Sequence, residues 1–231
     1  MTSAVIVAAG RGTRMNHSSN LSKQYIDILG KTVVLRTLEK FIESEVIDEI
    51  VIVIMKDEED YFRENVLSKI DTKKPIKLVH GGSERFESSY NGIIATSEQS
   101  DIVLIHDGVR PFIQLEEISA VVEKVSKFEA AVLAVKSKDT IKLAIDNIIE
   151  ETPNRDNVYM IQTPQGFKRK LLVDAYEHMR NTKDDFMPTD DASVVERYGK
   201  KVHIVEGSYE NIKLTTASEL CFAEAILKME N

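Results

Sequence analysis

The chain of 231 residues holds one cysteine, five prolines and ten glycines, and its positive charges are outnumbered. A single cysteine, Cys221, excludes an intrachain disulfide, and in its helical-looking surroundings it reads as a small packed side chain. Lysine and arginine total 30 against 38 aspartates and glutamates, a net charge of −8. That balance excludes a protein that grips nucleic acid through a broad basic surface. Met1 leads into an apolar run within a few residues, with no basic stretch before it, and no run reaches transmembrane length. The expectation is a cytoplasmic chain with neither nucleic acid nor membrane as partner. No internal repeat, low-complexity tract or linker rich in proline and glycine interrupts it.

With 42 % hydrophobic residues the chain can bury a full core, most simply as a single α/β domain over residues 1–231. Short apolar runs at Ala4–Val7, Glu49–Ile54, Ile76–Val79, Ile102–Ile105 and Ala130–Val135 predict strands. Val33–Ser44, Glu58–Ile70, Arg85–Thr96 and Leu115–Phe128 carry apolar residues at helical spacing. The alternation predicts a mainly parallel sheet flanked by helices. Each strand runs into a polar or glycine-rich junction, and in open α/β sheets such junctions converge on one ligand site.

The rhythm breaks after Val135. Residues 136–160 are polar and extended in character, which predicts a projecting β-hairpin; a long loop is the alternative. A two-stranded arm is marginal alone, so it calls for a partner such as a second copy of the chain. Beyond it the pattern predicts helices at Lys168–Met179 and Asp190–Tyr198 and a strand at Val202–Val205. A short extended piece at Asn211–Leu214 and a last helix from about Ala217 complete the chain.

The most specific segment is Val5-Ile-Val-Ala-Ala-Gly10-Arg-Gly-Thr-Arg14-Met15, followed by Lys23-Gln24-Tyr25. A strand stops at a glycine turn carrying two arginines, and a lysine follows nine residues after the second. Amide groups freed by such a turn suit phosphate oxygens, and the cations add charge. Arg11, Arg14, Lys23 and Lys31 face only Asp27 across the first 31 residues, so an acidic chain has a basic start. A dinucleotide fingerprint fails because Met15 stands where a third small residue belongs, and a P-loop fails for want of Gly-Lys-Ser/Thr.

Two further junctions carry chemistry. At Gly81-Gly82-Ser83-Glu84-Arg85 the paired glycines allow close backbone approach to a base or ribose, with Ser88 one turn on; Ser83 can equally be a helix N-cap. His106-Asp107-Gly108-Val109-Arg110-Pro111 follows an apolar strand. Asp107 is well placed for a divalent cation, since Mg²⁺ takes one or two carboxylates plus substrate phosphates; an Asp–Arg pair or a turn-starting aspartate is the alternative. His106 reads as a packed neighbour, because no second His or Cys stands at ligand spacing.

These blocks, with Gln162-Thr163-Pro164-Gln165, Thr189-Asp190-Asp191-Ala192 and Glu206-Gly-Ser-Tyr-Glu-Asn211-Ile212-Lys213, resemble the 2-C-methyl-D-erythritol 4-phosphate cytidylyltransferases in order along essentially the whole chain. The resemblance implies a Rossmann-like nucleotidyltransferase fold with a projecting β-arm, a homodimer joined by exchange of that arm, and dependence on Mg²⁺. Matched by position, Ala8, Ala9, Gly10, Arg14 and Lys23 would hold the triphosphate of CTP. Gly82, Ser88 and Gly108 would contact the cytidine, and Asp107 would bind the metal. Arg110, Thr163, Thr189 and Lys213 would hold the polyol phosphate, joined by Thr140 and Arg155 from a partner's arm.

Two positions depart from the family pattern. Ser22 stands where proline is common, which predicts a less rigid loop before Lys23, and Gly108 stands where alanine is usual. A ribitol-5-phosphate cytidylyltransferase shares the nucleotide half of the pattern, although Thr189–Ser193 sits closer to the methylerythritol enzymes. A catalytically silent nucleotide-binding protein is the reading from another class, and the presence of Arg14, Lys23 and Asp107 together argues against it.

Overall fold

A computed structural model describes residues 1–10, 22–182 and 184–229. The chain starts with β1 (Thr2–Ala8), followed by a small hairpin of β2 (Asp27–Ile28) and β3 (Lys31–Thr32) and by helix α1 (Val33–Glu43). Next come β4 (Glu49–Ile54), α2 (Glu59–Asn65), β5 (Ile76–His80), α3 (Arg85–Ala95), β6 (Ile102–Asp107), α4 (Leu115–Phe128) and β7 (Ala130–Lys136). A hairpin of β8 (Leu143–Ile145) and β9 (Ile148–Glu151) precedes the long β10 (Tyr159–Lys168). The chain closes with α5 (Arg169–Asn181), α6 (Asp191–Arg197), β11 (His203–Glu206) and α7 (Ala217–Met229).

Seven strands form one sheet in the order β11-β7-β10-β6-β1-β4-β5. All run the same way except β10, which is antiparallel to both β6 and β7. Period-two alternation divides the sheet between two cores. Ala4, Ile6, Ile50, Ile52 and Ile54 pack with Val34, Leu38 and Phe41 of α1 and Val121 of α4. Val5, Val51 and Val53 pack on the opposite face with Ile93 of α3, Leu172 and Tyr176 of α5 and Val194 of α6. A helix layer on each face covers a sheet whose parallel strands β1, β4 and β6 are mostly apolar, as strands buried on both faces require. The fold is the expected α/β one.

The connectivity sets the site. From β1 the chain moves to β4 and β5 on one side, then returns to β6 on the other side of β1. The order therefore reverses between β1 and β6, where Val7 pairs with Asp107. Ligands in open α/β sheets bind at this crevice, outside the carboxyl ends of the strands. Ala8–Gly10 and Asp107–Gly108 are the two lips of that crevice.

Three local features differ from the sequence expectation. The ten-residue β10 fills the centre of the sheet where no strand is expected, because Pro164 argues against a central strand. The structure accommodates it through a register irregularity: pairing with β7 stops at Ile161 and resumes at Gln165, so Gln162–Pro164 stand outside the ladder. Glu58–Ile70 is not one helix but a seven-residue α2 between two 3₁₀ turns, Lys56–Glu58 and Leu67–Lys69. Cys221, expected to pack, is exposed on α7, which leaves its thiol outside the core; the short extended piece Asn211–Leu214 joins no sheet but its Leu214 amide donates to the carbonyl of Val109.

Residues 137–158 leave the sheet between Lys136 and Tyr159, which pair with each other. At the tip of the β8–β9 hairpin Asp146 and Asn147 both have positive φ, 51° and 64°, as a two-residue type I′ turn demands. Leu143, Ile145, Ile148 and Ile149 all lie at least half exposed on it.

Helix α3 crosses the sheet at Gly92, where an added Cβ would meet Val5 Cγ1 at 2.4 Å and Val53 Cγ2 at 2.7 Å. Alanine would gain about 1 kcal/mol of helix propensity, but overpacking against two β-branched side chains costs about 1–3 kcal/mol. Overpacking wins. Gly92→Ala is expected to lower the thermal unfolding midpoint, and an unchanged or raised midpoint would contradict the close approach.

Candidate active site

A cavity of about 590 Å³ opens at the crevice, a size suited to a nucleotide-sized ligand. Its lining includes Ala8, Ala9, Gly10, Lys23, Gly82, Ser88, Asp107 and Lys213. The structure thus brings eight of the sequence-predicted site residues to one cavity. Arg14 lies outside the described residues.

The glycine-rich side of the cavity is shaped by absent side chains. An added Cβ on Gly81 would come within 2.4 Å of Ala9 Cβ, so the glycine pair lets this loop close on the end of β1. The Gly82 amide donates to Ser88 Oγ at 3.1 Å, and Ser88 Oγ in turn donates to the Glu84 carbonyl. Glu84, not Ser83, is the N-cap of α3, in a capping box with Glu87. The Ser83 hydroxyl instead donates to Glu87 Oε2 at 2.7 Å. The Gly108 amide donates to the Val7 carbonyl at 2.9 Å. A methyl there would meet Ala8 Cβ at 3.0 Å, so this position is narrow as well as free of a side chain.

Lys23 opens a 3₁₀ turn, Lys23–Tyr25, preceded by Ser22. Ser22 has φ −66°, the value a proline ring imposes. Its hydroxyl donates to Glu58 Oε1. This tie restrains Ser22 itself; the loop before it, expected to be less rigid, lies outside the described residues.

Asp107 ends β6 and is nearly fully buried. Its Oδ2 lies 2.8 Å from Lys213 Nζ and 3.6 Å from Arg110 Nε, and Arg85 Nη2 approaches Oδ1 at 3.4 Å. Burial alone would raise its pKa, but Arg85, Lys213 and Arg110 outweigh burial and hold the carboxyl well below the usual carboxylate range. Arg85 Nη1 also bonds Asp191 Oδ2 at 2.9 Å, and Tyr176 donates its hydroxyl to Asp191 Oδ1 at 2.6 Å. Three cations thus face two carboxylates, with Lys23 adding positive charge to the cavity wall, and the surplus suits a phosphate.

Thr163 uses the irregular part of β10. Its hydroxyl accepts the Asp107 amide and lies 3.1 Å from His106 Nδ1. His106 Nε2 faces the Arg110 carbonyl at 3.0 Å, which can only accept, so the ring carries its proton on Nε2. Burial pushes the pKa of His106 down to about 4. Both ring nitrogens are therefore used internally, and His106 is a packed neighbour as its spacing suggests. Arg110 reaches back to the Asn211 carbonyl at 2.7 Å, while Asn211 donates to the Thr163 carbonyl. This chain of contacts fixes the loop that carries Lys213.

Thr140, Arg155 and Thr189 are exposed and do not line the cavity. Arg155 Nη1 lies 3.5 Å from the Lys138 carbonyl of its own arm. Asp190, beside Thr189, caps α6 by accepting the Ser193 amide at 2.9 Å. Sequence reasoning gave Arg85, Asp191 and Gln165 no role, although Gln165 bridges Asp190 and the Ala192 amide. The three lay in motifs already singled out, but the partners named above are 15 to 106 residues away. As for a metal, no cluster of three or more His, Cys, Asp or Glu exists among the described residues. Asp107 fits Mg²⁺ only as a single protein carboxylate, with phosphate oxygens supplying the remaining ligands.

Known proteins resemble this chain over nearly its whole length. The family model for 2-C-methyl-D-erythritol 4-phosphate cytidylyltransferase matches residues 2–229. The protein of that name from Clostridioides difficile is 44 % identical over 230 residues, spanning 100 % of this chain and 95 % of the relative. Its counterpart from Caldanaerobacter subterraneus subsp. tengcongensis is 47 % identical over 227 residues, spanning 98 % of each. The crystal structure of 4-diphosphocytidyl-2C-methyl-D-erythritol synthase from Anaerococcus prevotii aligns with a TM-score of 0.87 at 39 % identity, covering 98 % of both chains.

The buried neutral His106 sets a pH dependence. Its folded pKa lies below its ordinary value of 6.5, so the unfolded chain binds the extra proton between pH 6.5 and about 4. Its contribution to stability is full above that window and falls with pH inside it, by up to about 1.4 kcal/mol per unit. His106→Gln removes the titration, so the stability of wild type relative to this variant should fall as pH drops from 6.5 to 4. Equal slopes in denaturant titrations across that range would refute the assignment.

Proposed function

The chain belongs to the 2-C-methyl-D-erythritol 4-phosphate cytidylyltransferase family, and from that premise we infer how its cavity performs the reaction. It is a nucleotidyltransferase that moves the cytidylyl group of CTP onto 2-C-methyl-D-erythritol 4-phosphate, giving 4-diphosphocytidyl-2-C-methyl-D-erythritol and pyrophosphate. A phosphomonoester oxygen attacks the α-phosphorus, a new P–O bond forms, and the bond to the departing pyrophosphate breaks. The observation that carries the assignment is the anion-ready strand end, where Asp107 gathers Arg85, Arg110 and Lys213 beside a cavity lined by Ala8–Gly10 and Lys23.

The attacking phosphate is already ionised near neutral pH, so no general base is required. His106 could not serve as one, because both its ring nitrogens are engaged. The difficulty is repulsion between two anions and charge growing on the leaving group, so catalysis rests on positioning and electrostatic neutralisation. In our reading Arg14 and Lys23 stabilise that charge, and amides at Ala8, Ala9 and Gly10 hold the triphosphate. Gly82, Ser88 and Gly108 receive the cytidine. Arg110, Thr189 and Lys213 hold the polyol phosphate, with Thr163 acting through Asp107 and His106. Asp107 would hold Mg²⁺, which when bound supplies charge neutralisation at the phosphates.

The exposed arm supports a homodimer in which the hairpin packs on a second copy and Thr140 and Arg155 of the partner subunit reach the polyol phosphate. No described helix is long and apolar enough to cross a membrane, and CTP as co-substrate favours the cytoplasm.

Pyrophosphate release with CTP and either methylerythritol phosphate or ribitol 5-phosphate tests the substrate. Turnover with the first is expected; turnover only with ribitol phosphate would move the assignment, and CTP binding without release would mark a silent protein. Lys23→Ala and Arg14→Ala should each lower kcat on the order of 10²–10³, and a wild-type rate would remove that residue from the reaction.

The arm makes a separate prediction. Ile145→Asp with Ile148→Asp should turn a dimer into a monomer by size exclusion with light scattering. Arg155→Ala should raise KM for the polyol phosphate by about ten-fold and leave CTP affinity unchanged; a loss of CTP binding would contradict the arm's role.

A further inference from the structure

Glu58 lies at the carboxyl end of β4, in the strand junction next to the crevice, and does not line the cavity. Its two oxygens nevertheless reach both neighbours of Lys23. Ser22 Oγ donates to Oε1, and Gln24 Nε2 donates to Oε2 at 3.1 Å. Gln24 Nε2 also donates to the Ala8 carbonyl at 2.7 Å, joining the same turn to the end of β1. Ser22 and Gln24 are buried, as is Tyr25, whose ring stands edge-on against Tyr61 of α2 at 4.9 Å. The lysine thus sits on a turn clamped on each side by one carboxylate.

We propose that Glu58 is a positioning residue for Lys23, fixing the turn through Ser22 and Gln24 so that the ammonium is held on the phosphate side of the cavity. This rests on the assignment of Lys23 above. A lysine side chain has four rotatable bonds and a strongly hydrated head, so its contribution to a transition state depends on where its backbone is anchored. A carboxylate accepting two hydrogen bonds provides that anchor without approaching the substrate. Both donors are neutral, a serine hydroxyl and a glutamine amide.

The test is a comparison of Glu58→Ala, Glu58→Gln, Lys23→Ala and the Lys23→Ala/Glu58→Ala double variant in the pyrophosphate-release assay. Midpoints of thermal unfolding are recorded alongside. Glu58→Ala is expected to lower kcat about 10- to 100-fold, with KM for the polyol phosphate unchanged. Glu58→Gln retains an acceptor for Ser22 and should recover most of that loss. In the Lys23→Ala background, removing Glu58 should cost no more than about two-fold further, because the group it positions is gone. A slow Lys23→Ala with Glu58→Ala at the wild-type rate would overturn the positioning role alone. So would a double variant whose loss is the product of the two single losses, which marks independent action. Lys23→Ala at the wild-type rate would overturn both this role and the assignment of Lys23. Should Glu58→Ala fail to fold, Ser22→Ala removes one of the two hydrogen bonds from the other side. A fall in kcat of about three-fold or more then supports the clamp, and a wild-type kcat overturns it.

Discussion

A buried carboxylate at the end of a central strand is the constraint around which this molecule is arranged. Desolvating Asp107 costs several kcal/mol, and only well-placed partners offset that cost. Arg85, Arg110 and Lys213 provide the compensation, and each arrives from a different element: the start of α3, the loop after β6, and the loop after β11. Removing any one would leave the carboxylate short of charge, so the three segments are fixed in relation to one another by electrostatics as much as by packing. The same carboxylate keeps three cations together that would otherwise repel.

The remaining polar groups at the strand end serve that arrangement. Thr163 holds the Asp107 amide and His106, and Thr163 can do so only because β10 loses register at Gln162–Pro164. Asn211 ties the Lys213 loop to the Thr163 carbonyl, and Arg110 closes the circuit to Asn211. Asp191, fully buried, receives Arg85 and Tyr176 and so connects α3 to α5 and α6. The apparent defect in β10 is thus a structural requirement of the site, in keeping with the frequency of strand irregularities beside active sites.

What the sequence made legible follows from how local each signal is. Gly10, Gly82 and Asp107 stand directly after apolar runs, so their place at the sheet's carboxyl edge could be read from position alone. The arm was readable too, because a polar extended stretch with apolar alternates has few other uses. β10 was not readable: Pro164 and two glutamines disguise a central strand, and the compensating irregularity is visible only in the pairing. Arg85 with Asp191 and Glu58 with Ser22 were equally hidden, since partners 106 and 36 residues apart leave no spacing signature.

Ser22 shows how a departure from a family pattern can leave the physics intact. A proline there would fix φ covalently; serine holds nearly the same φ, −66°, through a hydrogen bond to Glu58. The two solutions differ in what they depend on. A ring restrains the chain whatever surrounds it, whereas the hydroxyl works only while Glu58 keeps its place at the end of β4. Restraint of the Lys23 turn has therefore passed from one residue's covalent geometry to a contact between two strand junctions. Lys23 is tied in this chain to the β4–α2 connection through Ser22 and Gln24, although Glu58 itself does not line the cavity.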